Sequence, residues 1–480
     1  MNRWISLFGV FLVVMMGVVV WQGGTAVSAT GISTAYLPLI YDKYDSSLSP
    51  IFGVQTYGDI QPDSVYYDSL IGTNAKWMRN RASWRSIEPV NVTPDAYNWS
   101  SADGAYAVAH PENGGLNVIG TIEFAPDWAA PAENGPLYPD ALDDFAEFMS
   151  AIVERFDGDG FEDAPGSPIV TYWEIYNEPD NNSDVNSPYF AEPMHWGDHG
   201  AEYANMLATI YPAIKAANPQ AQVVIGGLAL DWFEAEGGPF VESFLSDVLA
   251  AGGGNYFDVM NFHSYPAFYS RWTNNLGPGL LGKAEAVRSV LADYGLEKPV
   301  IVTEAGWMSN ERPGAFIPGS PEIQARYVVQ LFTESMAADL DVMIWWLLFD
   351  PAFPYPFMNG LVTEGPLVEP KLSYTVYQNM VAELGTTHFV RSLSAVEMGH
   401  SFMEAHLFED NVHQRYLYVA WLNRVDTMET APLQIVATTA KVTDSLTGDM
   451  FVVQDGADGS VDGLVTVTVG ANPLYVEVAR

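Results

Sequence analysis

The chain of 480 residues contains no cysteine. Disulfide bonds, thiolate metal sites and cysteine nucleophiles are therefore excluded. The absence of cysteine does not indicate a compartment, because a cysteine-free protein is compatible with either side of a membrane.

Basic residues are scarce. Lys and Arg number 20 against 59 Asp and Glu, which gives a formal net charge of −39 at pH 7. A field of that sign repels phosphate backbones and acidic membrane surfaces, so nucleic acid is a poor partner. Charged residues make up only 16% of the chain and apolar residues 48%, which disfavours a disordered chain. The length calls for one large barrel-type domain or at least two domains.

Long apolar runs are also lacking, apart from one at the N-terminus. Arg3 precedes an uncharged run from Trp4 to Trp21, and the small residues that end at Ala29 fit a signal-peptidase site. We expect residues 1–29 to be a signal peptide and residues 30–50 to be a linker. The run is also close to the length of a membrane span, so an uncleaved N-terminal anchor is the alternative. Both interpretations predict a secreted or surface-tethered protein, with no other membrane contact.

From Ile51 onward, short apolar runs alternate with longer amphipathic stretches, which is typical of βα units around a parallel sheet. Eight candidate strands can be counted, near residues 52–56, 76–81, 117–122, 170–176, 222–226, 257–263, 300–303 and 342–347. The clearest helical candidates are residues 140–155, 200–217, 239–249, 282–294 and 321–338. Eight such units predict an α/β fold, a (β/α)8 TIM barrel over residues 51–384. A doubly wound open sheet is disfavoured because no Gly-x-Gly-x-x-Gly follows the first strand.

The pattern changes after about Glu383. Residues 385–480 consist of short strand-like pieces separated by Gly, Asp and Asn turns, which predicts a small all-β C-terminal sandwich domain. Its simplest role is that of a structural companion to the barrel, and glycan binding is the alternative.

The most informative segment runs from Tyr172 to Asp180. A period of two places Glu174, Tyr176 and Glu178 on one face of a strand, with apolar side chains on the other. Glu178 then lies at the C-terminal end of the strand, where barrel enzymes place their chemistry.

A second carboxylate has the same setting. The apolar strand that begins at Val300 ends in Glu304, and a carboxylate there is costly unless it has partners or a task. Two glutamates at the mouths of the fourth and seventh strands can face each other across a barrel. Such a pair supports acid–base and nucleophilic chemistry on a glycosidic bond.

These two segments resemble clan A glycoside hydrolases. Asn177-Glu178-Pro179 is similar to the acid/base motif of the clan, and Thr303-Glu304-Ala305-Gly306 to its nucleophile strand. Residues 76–89 resemble the second-strand segment of family 39 and related families, residues 263–265 the sixth-strand segment, and residues 345–346 the eighth. The β-rich tail resembles the C-terminal domain of such enzymes. The resemblance is specific for the clan and does not fix the sugar.

The resemblance implies that Glu178 is the general acid/base and Glu304 the nucleophile of a retaining hydrolase, and that Asn177 binds the hydroxyl next to the reacting carbon. The nucleophile must stay ionised, so Glu304 should have cationic or hydrogen-bonding company. We expect an inward guanidinium of Arg79 beside Glu304, with an ion pair to Glu174 as an alternative or additional role. Tyr265 is expected to donate a hydrogen bond to the same carboxylate.

Three further side chains are candidate substrate-binding residues. His263 is either a satisfied histidine inside the barrel or a contact of the site. Trp345 or Trp346 is expected to form the floor under the sugar ring, and alternation alone does not decide which one faces inward. Four other tryptophans lie in loops on the expected active face and serve either loop packing or sugar stacking: Trp128, Trp196, Trp232 and Trp307.

Motifs for other chemistries are absent or incomplete. The sequence contains no His-Glu-x-x-His, no Gly-x-x-x-x-Gly-Lys and no Gly-x-Ser-x-Gly. Residues 157–163 have the acidic spacing of a calcium loop but lack its closing glutamate, which favours a solvated turn. We therefore expect no cofactor and no metal.

The sequence thus predicts a secreted retaining glycoside hydrolase that cleaves O-glycosidic bonds of a plant- or microbe-derived oligo- or polysaccharide. The two carboxyl groups should lie about 5 to 5.5 Å apart. A non-catalytic carbohydrate-binding or adhesion protein on a barrel scaffold is the alternative from another class. The sugar, the linkage, the endo or exo action and the oligomeric state stay open, as does the choice between hydrolysis and transglycosylation.

Overall fold

The computed structural model describes residues 51–182, 195–266, 271–272, 277–311, 318–351, 356–424 and 426–480. The predicted signal peptide and linker, residues 1–29 and 30–50, lie outside the described residues. The described residues belong to one compact unit, so the boundary expected between residues 384 and 385 stays a prediction.

Eight parallel strands form a nearly closed barrel. They are β1 Phe52–Gln55, β2 Trp77–Ser83, β3 Asn117–Glu123, β4 Tyr172–Asn177, β5 Gln222–Gly227, β6 Met260–Ser264, β7 Val300–Ala305 and β8 Val342–Trp345. Their order is β5-β4-β3-β2-β1-β8-β7-β6, and parallel bridges between β5 and β6 close the ring at Val224 with Val259 and at Leu228 with Phe262. The predicted TIM barrel is confirmed, and each predicted strand segment overlaps one of these strands.

Helices connect the strands on the outside of the barrel. They are α1 Tyr67–Gly72, α2 Trp84–Ile87, α3 Ser100–Tyr106, α4 Leu142–Arg155, α5 Gly200–Ala217, α6 Phe244–Ala250, α7 Leu280–Asp293, α8 Pro321–Ala337 and α9 Leu372–Leu384. The start of α8 shows how the sequence sets such a boundary. Ser320 accepts a hydrogen bond from the backbone N–H of Ile323 at 3.2 Å, and Pro321 occupies the first turn, where its missing N–H costs nothing.

One predicted helix is too long at its N-terminus. The helix expected from Pro239 begins only at Phe244, because Phe240 instead forms bridges with Asn181 and Phe233. The apolar residues that suggested another helical turn hold two loops together at the C-terminal face of the barrel. Within the described part of the chain, no helix has the length and apolar character needed to cross a membrane.

The barrel interior is layered by polarity. A closed apolar layer lies towards the N-terminal ends of the strands: Trp77, Ile119, Tyr172, Val224, Val259, Ile301, Val342 and Ile344. Two residues further along the strands, buried polar side chains take their place: Gln55, Arg79, Thr121, Glu174, Asn261 and Thr303. Since side chains alternate between the two faces of a strand, the same strands that close the barrel floor also place polar groups above it.

After α9 the strands become antiparallel. They are β9 Thr387–Ser392, β10 Met403–Asp410, β11 Arg415–Leu422, β12 Ala431–Val436, β13 Thr439–Asp444, β14 Met450–Gln454, β15 Leu464–Val469 and β16 Leu474–Ala479, with the short helix α10 Ala395–Met398. A six-stranded sheet has the order β14-β13-β16-β11-β10-β9, and β12 pairs with β15. Inward residues of both sheets, such as Leu433, Val442 and Val467, form a separate apolar cluster. The predicted all-β region is therefore confirmed.

A buried carboxyl group and a partly exposed one connect the barrel to this β region. Glu334 in α8 is 1% exposed and accepts a hydrogen bond from the backbone N–H of Leu280 at 2.8 Å. It also contacts Glu404 on β10, which in turn accepts from the side-chain amide of Asn423. Burial and the neighbouring Glu404 raise the pKa of Glu334 well above its ordinary value. Burial alone would raise the pKa of Glu404 too, but hydrogen bonds from His406, Glu334 and Asn423 lower it. Burial and the neighbouring Glu404 both favour the protonated form of Glu334.

We predict that Glu334→Gln reduces the loss of stability at alkaline pH. A raised pKa in the folded state means that the folded protein holds a proton that the unfolded chain has released, so stability falls as pH rises above the unfolded value. Gln has nearly the same shape as Glu and carries no titrating proton. Thermal unfolding at pH 6 and pH 9 should show a smaller decrease in Tm for this variant than for the wild type. Glu285→Gln, an exposed position on α7, is the control, and an equal decrease in all three proteins would contradict the raised pKa of Glu334.

Candidate active site

A buried arginine lies at the centre of the polar layer. Arg79 on β2 is 0% exposed, and its five N–H groups all point to oxygen atoms at 2.5 to 3.0 Å. The acceptors belong to five side chains: Gln55, Thr121, Glu174, Asn177 and Glu304. Both interactions expected for Arg79 are present, since it pairs with Glu174 at 2.6 Å and with Glu304 at 2.5 Å.

Glu174 is the structural partner of this arginine. Its two oxygens accept from Arg79, from the hydroxyl groups of Thr121 and Thr303, from the side-chain amide of Asn261 and from the backbone N–H of Gly227. Burial alone would raise its pKa, but the charge and hydrogen bonds of Arg79 lower it. With both oxygens occupied and 0% exposure, Glu174 ties β4 to five other strands and has no surface for a ligand.

Glu304 is held by three donors. Arg79 and Arg81 both bind Oε1, at 2.5 and 3.0 Å, and the hydroxyl of Tyr265 donates to Oε2 at 3.0 Å. Burial alone would raise the pKa of Glu304, but the electrostatic influence of His263, Arg79 and Arg81 lowers it to about 2. The carboxylate is therefore ionised at neutral pH, and the structure places Tyr265 where the sequence suggested.

A β-bulge turns Glu304 into the barrel. Phe262 pairs with Val302 and His263 pairs with Glu304, so Thr303 is an extra residue on β7. Thr303 faces inward, where it contacts Asn261, and strict alternation would then turn Glu304 towards the helices. The extra residue resets the register, as bulges do next to active sites, and both side chains point inward.

The alternation of β4 breaks as well. Tyr176 has φ of 64°, and its ring packs against Phe145 of α4 and against Trp196. The expectation that Tyr176 faces inward with Glu174 is therefore wrong, because the left-handed backbone conformation rotates this side chain towards the helices. As a result, the next two side chains, those of Asn177 and Glu178, both reach the site.

Glu178 lies just beyond β4, and its hydrogen-bond partner is a histidine and not an arginine. Its Oε1 is 2.9 Å from Nδ1 of His263, and its side chain is 15% exposed. The other ring nitrogen of His263 is 3.1 Å from the hydroxyl of Thr303. Gly227 makes room for this histidine, since a Cβ there would lie 2.1 Å from its Nε2. His263, for which two roles were open, is thus a buried histidine in direct contact with Glu178.

The two glutamates lie close to each other. One side-chain oxygen of each, together with a ring nitrogen of His263, fall within 4.8 Å of one another. Three such ligand atoms have the spacing of a metal site, but the guanidinium groups of Arg79 and Arg81 already neutralise Glu304 and would repel a cation. The arrangement suits an electrophilic carbon between the carboxyl groups better than a metal ion.

Asn177 is oriented by Arg79. Its side-chain oxygen accepts from Nη2 of Arg79 at 2.8 Å, which turns its amide nitrogen away from the guanidinium. The amide nitrogen is then the group that can donate to a ligand.

The paired tryptophans at the end of β8 are both buried, with Trp346 8% exposed, and differ in their contacts. Trp345 is 0% exposed and donates to the backbone oxygen of Asn359, so it is part of the core and cannot contact a substrate. Trp346 donates to the hydroxyl of Tyr57 at 2.8 Å and meets the ring of Tyr265 edge to face. Of the two candidates for the floor, only Trp346 adjoins the residues around Glu304.

The loop tryptophans fall into two groups. Trp196 and Trp307 are buried at 1% and 0% exposure, which leaves loop packing as their role. Trp128 and Trp232 are partly buried at the C-terminal face. The acidic segment at residues 157–163 is a turn in which carboxylates accept from backbone N–H groups, as Asp159 does from Phe161 at 2.8 Å.

Sequence reasoning missed two residues of the site. Tyr57 follows β1 and lies under the guanidinium of Arg81, 5.2 Å from ring centre to Cζ. Glu123 ends β3, is 3% exposed and pairs with Arg81 at 3.1 Å. Alternate residues of β3 face inward, from Ile119 through Thr121 to Glu123, and this alternation could have indicated Glu123. Tyr57 lies in a loop, where no such alternation applies.

Comparison with known proteins supports the fold. No protein-family model and no curated protein sequence matches the chain. Among solved structures, a family 39 glycoside hydrolase from the gut symbiont Bacteroides cellulosilyticus WH2 has a TM-score of 0.64 at 19% identity, over 90% of this chain and 81% of that one. A glucosidase from Croceicoccus marinus has a TM-score of 0.57 at 17% identity, over 90% of this chain and 96% of that one. The catalytic domain of GH30 xylanase C from Talaromyces cellulolyticus has a TM-score of 0.56 at 15% identity, over 90% of this chain and 99% of that one. At these identities the likeness is one of fold, and at that level the resemblance to clan A is confirmed.

We predict that Arg79→Met lowers the free energy of unfolding by about 3–5 kcal/mol, because it leaves two buried carboxylates without their shared cation. Chemical denaturation at neutral pH measures the change. Arg391→Met is the control, since its ion pair with Glu397 is exposed and should contribute far less. Equal losses in the two variants would mean that the guanidinium does not hold the polar layer together.

Proposed function

We propose that this protein is a retaining glycoside hydrolase in which Glu304 is the nucleophile and Glu178 the general acid/base. The observation that carries the proposal is the separation of their side-chain oxygens, which lie within 4.8 Å. Retaining enzymes hold their carboxyl groups about 5–5.5 Å apart, whereas inverting enzymes need about 6.5–9.5 Å to admit a water molecule.

The distribution of charge supports this division of roles. Two guanidinium groups bind Glu304, while Glu178 has a histidine as its neighbour. The nucleophile must be ionised and the acid must keep its proton, so the cations belong with the nucleophile.

In the first step Glu304 attacks the anomeric carbon of the sugar. Oε1 is engaged by both arginines, which leaves Oε2 as the attacking oxygen. The bond from the anomeric carbon to the leaving oxygen breaks, and that oxygen takes the proton of Glu178. The products are a glycosyl ester of Glu304, a free alcohol and an ionised Glu178.

In the second step Glu178 acts as a base. It takes a proton from a water molecule, whose oxygen attacks the anomeric carbon from the side that the leaving group vacated. The ester bond breaks, its electron pair returns to Glu304, and Glu178 is protonated again. Two inversions retain the configuration of the sugar.

Three other side chains bind the sugar in this proposal. The amide nitrogen of Asn177 donates to the hydroxyl next to the reacting carbon, a contact that strengthens as the transition state develops. Trp346 forms the floor under the ring, and the hydroxyl of Tyr265 orients Glu304.

The substrate of the proposal is a neutral sugar. The arginines of β2 and α2 are all paired with carboxylates: Arg79 with Glu174 and Glu304, Arg81 with Glu123 and Glu304, and Arg85 with Asp127 and Glu133. A uronic acid in the cleft would therefore meet an excess of negative charge, which costs free energy in a site of low dielectric.

We predict that 4-nitrophenyl glycosides of neutral sugars are hydrolysed at least tenfold faster, by kcat/KM, than the corresponding uronides. The panel pairs the β-D-glucoside with the β-D-glucuronide, and includes the β-D-xyloside and the α-L-arabinofuranoside. A uronide as the preferred substrate would show that the arginines release their partners for a substrate carboxylate.

Two substitutions test the catalytic roles. Glu304→Gln should abolish turnover while sugar binding persists, and Glu178→Gln should lower kcat about 10²–10⁴-fold on substrates with poor leaving groups. On 2,4-dinitrophenyl glycosides, whose leaving group departs without an acid, azide should partly rescue the second step of Glu178→Gln. Proton NMR of the first product should show retained anomeric configuration. Glu334→Gln, a buried glutamate at the edge of the β region, is the control and should keep wild-type activity.

The same measurements separate this proposal from its alternative. If the wild type hydrolyses nothing on the panel or on a set of polysaccharides, yet binds oligosaccharides, the chain is a carbohydrate-binding or adhesion protein. An inverted product would overturn the retaining mechanism.

Export belongs to the proposal as well. It depends on the sequence of residues 1–29, and N-terminal sequencing of the protein recovered from the medium of expressing cells tests it. A mature N-terminus at Thr30 supports cleavage after Ala29, whereas an intact N-terminus in the membrane fraction supports the anchor.

A further inference from the structure

The nucleophile of the proposed reaction has two cations, and each cation has a carboxylate of its own. Oε1 of Glu304 binds Nη1 of Arg79 and Nη2 of Arg81. Arg79 also binds Glu174 at 2.6 Å, and Nη1 of Arg81 binds Glu123 at 3.1 Å. Two ion pairs of the same composition therefore meet on one oxygen atom.

The two pairs differ in their surroundings. The guanidinium of Arg79 is saturated and has no exposed surface, which makes it part of the barrel interior. The side chain of Arg81 is 21% exposed, lies over the ring of Tyr57 and so adjoins the cleft. Tyr57 in turn accepts the hydrogen bond from Trp346. The pair of Arg81 with Glu123 is thus the one that borders the sugar.

We propose that Arg81 and Glu123 are positioning residues that balance the charge of Glu304 through the catalytic cycle. The inference rests on the proposed function, since it concerns the nucleophile of that reaction. Glu304 is negative before the first step, neutral as the ester and negative again after the second. Arg81 stabilises both negative states, and Glu123 keeps Arg81 in place and partly neutralised while the ester exists.

The balance explains why Glu123 is needed at all. An arginine without a second partner would place its whole charge on Glu304, which stabilises the free carboxylate and slows its attack. After ester formation the same arginine would face a neutral group in a site of low dielectric. Glu123 moderates both effects, because it draws one end of the guanidinium away from the nucleophile.

The two members of the pair should then affect the two steps in opposite ways. Without Arg81, the return of negative charge to Glu304 is less favourable, and the second step slows. Without the charge of Glu123, the free carboxylate is stabilised more strongly, and the first step slows. A purely structural pair would instead impair both steps alike in either variant.

Several charged or titratable groups face Glu304 and enter its pH dependence. They are Arg79 and Arg81 from β2, Glu174 and Glu178 from β4 and its end, His263 and Tyr265 from β6 and its end, and Tyr57 after β1. Only the cation of Arg81 changes in Arg81→Met, so the acid limb of kcat/KM should move to higher pH in that variant and stay in place in Arg81→Lys.

The experiment compares Arg81→Met, Arg81→Lys and Glu123→Gln with 2,4-dinitrophenyl β-D-xyloside and β-D-glucoside as probes. In Arg81→Met, kcat and KM should both fall about tenfold as the glycosyl-enzyme accumulates, visible as a larger pre-steady-state burst. In Glu123→Gln, kcat/KM should fall about tenfold with a higher KM and a smaller burst. Arg81→Lys keeps the charge and should recover kcat to within about threefold of the wild type.

Arg85→Met is the matched control. Arg85 pairs with Asp127 and Glu133 on the same side of the barrel but does not contact Glu304, so its loss should leave both parameters unchanged. Thermal unfolding checks that each variant is folded. If Arg81→Met does not fold, the KM and the burst amplitude of Glu123→Gln test the inference. Shifts of KM and of the burst amplitude in the same sense in Arg81→Met and Glu123→Gln overturn the inference but leave the hydrolase intact. A wild type without hydrolysis of any glycoside overturns the proposed function instead.

Discussion

The structure depends on one guanidinium. Arg79 uses all five of its N–H groups inside the barrel, and through them it joins β1, β2, β3, β4 and β7 at a single level. A buried charge with this many partners is stable only if every strand that supplies an acceptor is in register. The same contacts keep Glu304 ionised and turn the amide of Asn177, so the stability of the barrel and the chemistry of the site have a common cause.

Periodicity was sufficient to predict most of the fold. Short apolar runs marked all eight strands, the loss of that pattern near Glu383 marked the β region, and strand-end carboxylates marked Glu178 and Glu304. These features depend on local chain geometry, which the sequence carries directly. The pairing of Arg79 with Glu174 and Glu304 could also be predicted, because an arginine that points into the barrel from the second strand needs inward carboxylates as partners.

Orientation was less predictable, because it depends on local departures from regular geometry. The local sequence around Tyr176 does not predict a left-handed backbone conformation, and the local sequence around Thr303 does not predict a bulge. Both follow from how neighbouring strands and helices pack, which is a property of the whole barrel. Trp345 and Trp346 were indistinguishable for the same reason. The electrostatic interaction of Glu334 with Glu404 joins residues 70 positions apart, beyond any local pattern.

The extra residue in β7 has a consequence for how such chains can change over time. A deletion of Thr303 would make the strand more regular and leave Glu304 opposite His263, yet it would remove the hydroxyl that contacts Glu174, Asn261 and His263. Single substitutions in this strand can be tolerated, whereas the insertion or deletion of a residue cannot. Lineages of this barrel should therefore vary freely in the loops that follow the strands while the residue count within β7 stays fixed.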